Sequence, residues 1–240
     1  ATVSRILNGS DRVSPQTREK VLAVIEQYGY VPNAFARGLG LNTMKTIGLL
    51  CPNAADSYLS QALSFLEKDF RSNGYDCLLC CTGADASERQ KGVEMLLGKH
   101  VDGMVLMGST FIEEKDEGNE YIRNAAKTTP LVLLNADMSG KNIYCVLCDD
   151  RTATREAAQY LLDTGRKRIL YLYHNNNRSG QKKLLGYRDA LESRGIPVDE
   201  KLIRFFGEDK MSVPEVRDFL LQTSKKVSFD AVMTSEDILA

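Results

Sequence analysis

The sequence predicts an α/β fold, in which parallel sheets carry helices on both faces, joined to a short basic helical piece at the N-terminal end. Apolar runs recur at 47–51, 75–81, 102–107, 130–135, 143–148, 168–173, 202–206 and 229–234. Amphipathic stretches separate most of them, at roughly 58–73, 87–99, 113–127, 151–164, 180–194 and 213–223. Near-continuous apolar strands alternating with helices are the pattern of a parallel sheet buried on both sides. The third observation is the break Y-V-P-N-A-F-A-R-G-L at 30–39, which divides the alternating part from what precedes it.

The first helix, A-T-V-S-R-I-L-N-G, gathers Val3, Ile6 and Leu7 on one face, turns Thr2 and Arg5 away, and stops at Asn8-Gly9. A second follows: Ser14 caps it, Pro15 occupies its first position, and Val21, Leu22, Val24 and Ile25 are its buried stripe. Gly29 closes it. Pro32 allows a helix only from Asn33 onward, after a break at Val31. That third helix has about two turns and is marginal alone in water. Gly38 and Gly40 weaken it by up to roughly 1 kcal/mol each. A segment that is nearly a helix has the property a conditional hinge needs.

In the alternating part, the span between Pro130 and Cys148 has no room for a full helix, so a loop or hairpin-like link is expected there. L-D-T-G-R-K-R at 162–168 marks a crossing into a second α/β subdomain.

Composition is that of a globular protein, 43% apolar and 26% charged. No apolar run is long enough to span a bilayer, and no signal-peptide pattern opens the chain, which begins with Ala rather than Met. The reading is cytoplasmic. Net charge is −1, but residues 1–45 carry six cations against three anions, leaving −4 for the rest. A basic end on an acidic body suits nucleic-acid contact through that end.

Catalytic and metal readings find little material. Cys77-x-x-Cys80 and Cys145-x-x-Cys148 have zinc-ribbon spacing but sit in apolar strand runs, so they read as buried thiols of a reduced protein. His100 and His174 are the only histidines. Ser179-x-x-Lys182 lacks its partner motifs. The stretch from Gly92 to Gly98-Lys99 has one residue too many for a phosphate loop, and His100 stands where Ser or Thr is required. No enzyme activity, cofactor or metal is expected.

Ligands of open parallel sheets bind beyond the carboxyl ends of the strands. Polar residues gather at those positions: Asp56 and Tyr58, Thr82 and Asp85, Asp137, Asp149 and Asp150, 175–179, and Ser235 with Asp237. Carboxylates, amides and an aromatic suit a polyhydroxylated ligand such as a sugar or nucleoside. Each could equally be a cap or turn residue.

T-V-S-R-x-L-N, V-S-x-x-T-R-x-K-V and Y-x-P-N-x-x-A-R-x-L together closely resemble the DNA-binding headpiece of the lactose-repressor/galactose-repressor (LacI/GalR) family. The likeness continues through V-D-G-M-V-L (101–106), C-D-D-R-x-A (148–153), Gly186-Tyr187 and T-S-E-D-I-L-A (234–240). It implies a partial helix-turn-helix headpiece (1–31), a hinge helix and linker (32–45), and a periplasmic-binding-protein-like core. The core would comprise two Rossmann-like doubly wound subdomains, 46–163 and an incomplete 164–240. It also implies a fragment without the first headpiece helix and the C-terminal part, poorly stable alone.

By the same resemblance, Thr2, Ser4, Arg5 and Asn8 would face the major groove or its phosphates, and Ser14 and Thr17 a backbone phosphate. Asn33 and Arg37 belong to the DNA-contacting hinge, and Leu39 would be the wedge in the minor groove. Arg5 can pair bidentately with guanine, and an apolar wedge kinks the duplex. Tyr58, Leu59, Ser179, Lys183 and Asp237 fall on effector-contacting positions, with Asp56 beside them. Lys183 departs from the usual family Arg, losing a planar fork for paired hydroxyls or carboxylates. Ala1 stands where the family has a base-reading residue. The implied partners are double-stranded operator DNA, a small effector, and a second copy in a homodimer or tetramer, with no membrane. The implied activity is effector-controlled transcription regulation, with a transporter's solute-binding protein and a sugar-active enzyme as the alternatives.

Overall fold

A computed structural model describes residues 2–7, 11–30, 43–83, 85–113, 115–174, 176–207 and 212–240, and only the backbone of Ser4 and Leu7. In chain order the elements are α1 (Thr2–Leu7), α2 (Pro15–Gln27), β1 (Thr46–Cys51), α3 (Ser57–Ser72), β2 (Asp76–Cys81) and α4 (Ala86–Gly98). Then come β3 (Gly103–Met107), α5 (Glu120–Ala126), β4 (Leu131–Leu134), β5 (Ile143–Val146) and α6 (Asp150–Asp163). The last are β6 (Ile169–Tyr173), α7 (Arg178–Ser193), β7 (Ile203–Phe205), α8 (Val213–Ser224) and β8 (Ala231–Thr234). Two compact units form: Ala1–Leu134 with Met138–Cys145, and Asn135–Asp137 with Val146–Ala240.

Helices α1 and α2 pack on one another, and Ile6 is buried. The stripe predicted for α2 is only partly realised: Val21 and Ile25 are half-buried, but Leu22 and Val24 are exposed. Val3 is exposed too. Positions 21 and 25 are one helical turn apart and share a face, whereas 22 and 24 flank it. The six-residue α1 covers no more than that shared face.

The first unit holds a five-stranded sheet in the order β2-β1-β3-β4-β5. Strand β1 runs parallel to β2 and β3, and β3 parallel to β4. Alternate residues of β1 serve opposite faces. Leu49 and Cys51 join Leu59, Val105 and Met107 under α3. On the other side Gly48 lies against Leu96 of α4, where an added Cβ would be 2.6 Å from Leu96 Cδ1. All of β3 is buried, which explains its unbroken apolar run.

The link from β4 to β5 is a loop and not a hairpin. Leu131 N donates to Asn142 O at 3.0 Å and Asn135 N to Val146 O at 2.8 Å. Both bonds span eleven residues in the same sense, so the two strands point the same way.

Two further expectations are corrected. The stretch 113–127 is not one helix: 3₁₀ turns at Ser109–Phe111 and Asp116–Asn119 precede the seven-residue α5. Asn119 Oδ1 accepts from Glu113 N (2.8 Å) and its Nδ2 donates to Glu113 O (3.0 Å), offering the backbone an alternative to the helix ladder. The thiols are not uniformly buried either. Cys51 is, but Cys77 and Cys80 are half-buried, and Cys81, Cys145 and Cys148 are exposed. Strands β2 and β5 lie at the sheet edges, with a neighbour on one side only.

The second unit has a parallel three-stranded sheet, β7-β6-β8. Tyr171 and Tyr187 stack at 5.0 Å inside a core with Ala158, Ile169, Ala190 and Leu191. Across β6, Leu172 packs with Phe206, Val216 and Leu239, and Leu170 with Leu202 and Val227. Helix α6, which a division at 163/164 assigns to the first subdomain, packs here against α7. Gly186 permits the approach, since a Cβ on it would be 2.2 Å from Arg151 O. Arg151 also clasps Asp189 through Nε (2.6 Å) and Nη2 (2.8 Å). The glycine turn at 165, with φ of +86°, is an ordinary helix-to-strand turn within one unit.

Candidate functional site

In the headpiece, Thr2 and Arg5 are exposed on α1, which also contains Ser4. Ser14 caps α2: its Oγ accepts from Thr17 N at 3.3 Å and lies 2.8 Å from Thr17 Oγ1. The two predicted phosphate-contacting residues thus share one exposed helix N-terminus, where amide groups and the helix dipole favour an anion. Asn8, Asn33, Arg37 and Leu39 lie outside the described residues.

In the first unit, Asp56, Tyr58 and Leu59 follow β1. Asp56 Oδ1 accepts from Leu59 N at 2.9 Å and so caps α3. Tyr58 is exposed, while Leu59 is a core residue beneath α3. Several other strand-end residues are caps as well. Asp85 accepts from Ser87 N and Glu88 N, Asp149 from Thr152 N, and Asn177 from Gly180 N. Hydrogen bonds from the Ser87 side chain and from the Ser87 and Glu88 amides hold Asp85 below the usual carboxylate range, and those from the Thr152 amide and side chain do the same for Asp149. Thr82 is buried, its hydroxyl donating to Gly83 O at 3.1 Å. Asp137 is exposed, and its carbonyl accepts from Arg178 Nη1 at 3.4 Å.

In the second unit, polar groups converge beyond β6 and β8. Ser179 Oγ donates to Asp150 Oδ2 at 2.6 Å, and Asp150 is buried. Lys183 Nζ donates to Ser235 O at 3.0 Å. His174 Nδ1 lies 3.0 Å from Glu236 Oε2. Burial pushes the Tyr171 phenol up, with smaller contributions from Glu236, Tyr173 and Asp150. Asp237 is exposed, and its Oδ1 accepts from Ile238 N. Ser179 and Lys183 thus each hold a polar partner, whereas Asp237 is exposed and bonds within its own turn.

The sequence reading omitted the His174–Glu236 pair. Donors and acceptors of this kind can hold hydroxyl groups. Among the described residues, no group of three or more His, Cys, Asp or Glu side chains could hold a metal ion.

Two family descriptions match the chain in tandem. Residues 1–33 match the bacterial regulatory proteins of the lacI family. Residues 44–237 match the periplasmic binding proteins and sugar-binding domain of the LacI family. The chain belongs to the LacI family. It is accordingly built as a DNA-binding transcription regulator, not as an enzyme or a transporter's solute-binding protein.

An HTH-type transcriptional regulator of Lachnoclostridium phytofermentans is 45% identical over the whole chain, which spans 72% of that relative. The chain spans 60% to 72% of the length of eight curated relatives that it matches. Among solved structures, the cellobiose complex of the regulator CelR is 28% identical with a TM-score of 0.64, covering 98% of this chain and 70% of that one. The lac repressor dimer bound to operator and an anti-inducer shares the fold, with a TM-score of 0.83 at 21% identity over all of this chain and 70% of that one. Among the described residues no helix is long and apolar enough to cross a membrane.

Proposed function

We propose that this LacI-family chain serves in a cytoplasmic dimer that binds a specific operator and releases or tightens on it when a sugar or nucleoside binds the core. The tandem order, a headpiece match at 1–33 directly ahead of a sugar-binding-type core at 44–237, is the observation that supports this reading. Thr2, Ser4, Arg5 and Asn8 read or flank the major groove, and Ser14 and Thr17 hold a phosphate. Asn33, Arg37 and Leu39 form the hinge that folds against the minor groove. Effector contacts are proposed for each unit by itself: Asp56 and Tyr58, with the core residue Leu59 behind them, in the first, and Ser179, Lys183 and Asp237 in the second.

Lys183 offers a compact point charge with three donors instead of an arginine fork. With one donor directed to the Ser235 carbonyl, two remain for a ligand, without the fixed planar spacing of a guanidinium. Effector binding and operator binding are linked by one coupling free energy, so each alters the other by the same factor.

The test is operator selection with the intact protein, followed by titration of the selected duplex. Leu39→Ala should weaken specific operator binding by an order of magnitude or more while leaving effector affinity unchanged. Equal operator affinity in parent and variant removes the wedge assignment, and failure to select any sequence removes the operator reading.

A further inference from the structure

The pair of thiols that the structure brings together among the described residues is not one of the C-x-x-C pairs. Cys51 ends β1 and Cys81 ends β2, and the two are direct register partners across the parallel ladder. Register partners in adjacent strands point to the same face. Their sulfurs lie 3.9 Å apart. Beyond them the chains stay aligned, since Thr82 N donates to Cys51 O and Gly83 N to Pro52 O, each at 3.0 Å. Adjacent strands are about 4.8 Å apart, within the Cα separation of about 4.4–6.8 Å that a disulfide spans. Closing the bridge requires the two side chains to rotate until the sulfurs are about 2.05 Å apart.

We propose that Cys51 and Cys81 are a peroxide-sensitive thiol pair that closes to an intrachain disulfide at the carboxyl end of the first sheet. The two thiols differ in access. Cys81 is exposed and Cys51 is buried. Burial pushes the Cys51 thiol up to about 12, and Cys81, Cys80 and Asp56 beside it add to the rise. Cys81 therefore meets the oxidant first.

Its sulfur takes one oxygen from hydrogen peroxide, giving the sulfenic acid and one water. Cys51 Sγ then attacks that sulfur. The S–S bond forms as the S–O bond breaks, and the departing hydroxide takes the Cys51 proton to leave a second water. Two electrons pass from the thiols to peroxide, and a dithiol reductant returns them by exchange. The bridge fastens the loop from Pro52 to Asp56 to the end of β2. The pair stands independently of the function proposed above.

The experiment treats the intact protein with hydrogen peroxide, blocks the remaining thiols by alkylation and maps the peptides by mass spectrometry. The expected result is a Cys51–Cys81 bridged peptide, two fewer free thiols per chain, and full recovery with dithiothreitol. Cys80→Ser should keep the bridge, whereas Cys51→Ser should leave Cys81 as a sulfenic acid that dimedone traps. Cys81 oxidised to the sulfinic acid beside a free Cys51 thiol overturns the proposal. So does a bridge from Cys81 to Cys80 or to Cys81 of a second copy. The wild-type and Cys80→Ser maps decide the matter even if Cys51→Ser does not fold.

Discussion

Tyr187 shows how much one side chain can carry in the second unit. Its ring stacks on Tyr171, and its hydroxyl donates to Ile169 O at 2.8 Å, so α7 is tied to β6 by an apolar and a polar contact at once. Tyr187→Phe removes only the hydrogen bond and should cost about 1 kcal/mol in urea unfolding, whereas Tyr187→Ala should cost about 3–5 kcal/mol. Burial pushes the Tyr187 hydroxyl up to about 12, and does the same to Tyr121, which donates to Phe111 O in the first unit. The native state keeps these protons where the unfolded chain, titrating near 10, gives them up. Their contribution is complete below about pH 10 and is lost as pH rises toward about 12. Denaturant midpoints taken at about pH 9 and at about pH 11 should fall, and Tyr187→Phe should fall less; an equal drop would remove Tyr187 from the account.

Among the packed elements, the α6–α7 pair depends on a residue with no side chain. Gly186 lies against the Arg151 carbonyl, and the neighbour is backbone, which cannot swing aside. Gly186→Ala should lower the stability of the second unit by about 3 kcal/mol or more, at the upper end of overpacking costs. Circular dichroism melts would show it, and an unchanged melt would mean that the helices slide apart at little cost. The Arg151–Asp189 clasp holds the same interface from the outside. That guanidinium keeps the Asp189 carboxyl below its ordinary range, so this part of the stability is present at neutral pH and disappears as acid protonates the carboxylate. Being partly exposed, the clasp contributes less than the close packing beneath it.

Across the molecule, the chain passes between its two units at 135–137 and again at 146, so each unit is assembled from two segments. A ligand that binds the native state raises its stability by mass action, by about 2.7 kcal/mol at a hundredfold excess over its Kd. A thermal-shift panel of mono- and disaccharides and nucleosides on the intact protein should therefore reveal the effector class. Lys183→Ala should abolish the shift while lowering the unliganded stability by about 1 kcal/mol, for the lost bond to Ser235 O. A variant that still responds like the parent would exclude Lys183 from the site.

Strand and helix positions were legible because they follow from local physics: period, caps, proline and glycine. Runs such as M-V-L-M in β3 read as interior strands from their alternation with helical stretches, and the Ser14-Pro15 start announced α2. Family membership was legible in the headpiece motif, whose spacing is long and linear in the chain. What the linear order concealed were relations set by packing between distant segments. The residue type of Asp56, Asp85 and Asp149 is the same for a cap as for a ligand-binding carboxylate, and only the neighbouring amides distinguish them. The partner of α6, the edge position of β2 and the meeting of Cys51 with Cys81 depend on which elements lie side by side. Local sequence sets the backbone path of each element. Burial and contact arise from surfaces that come together only when the chain has folded, which is why they were left to the tertiary structure.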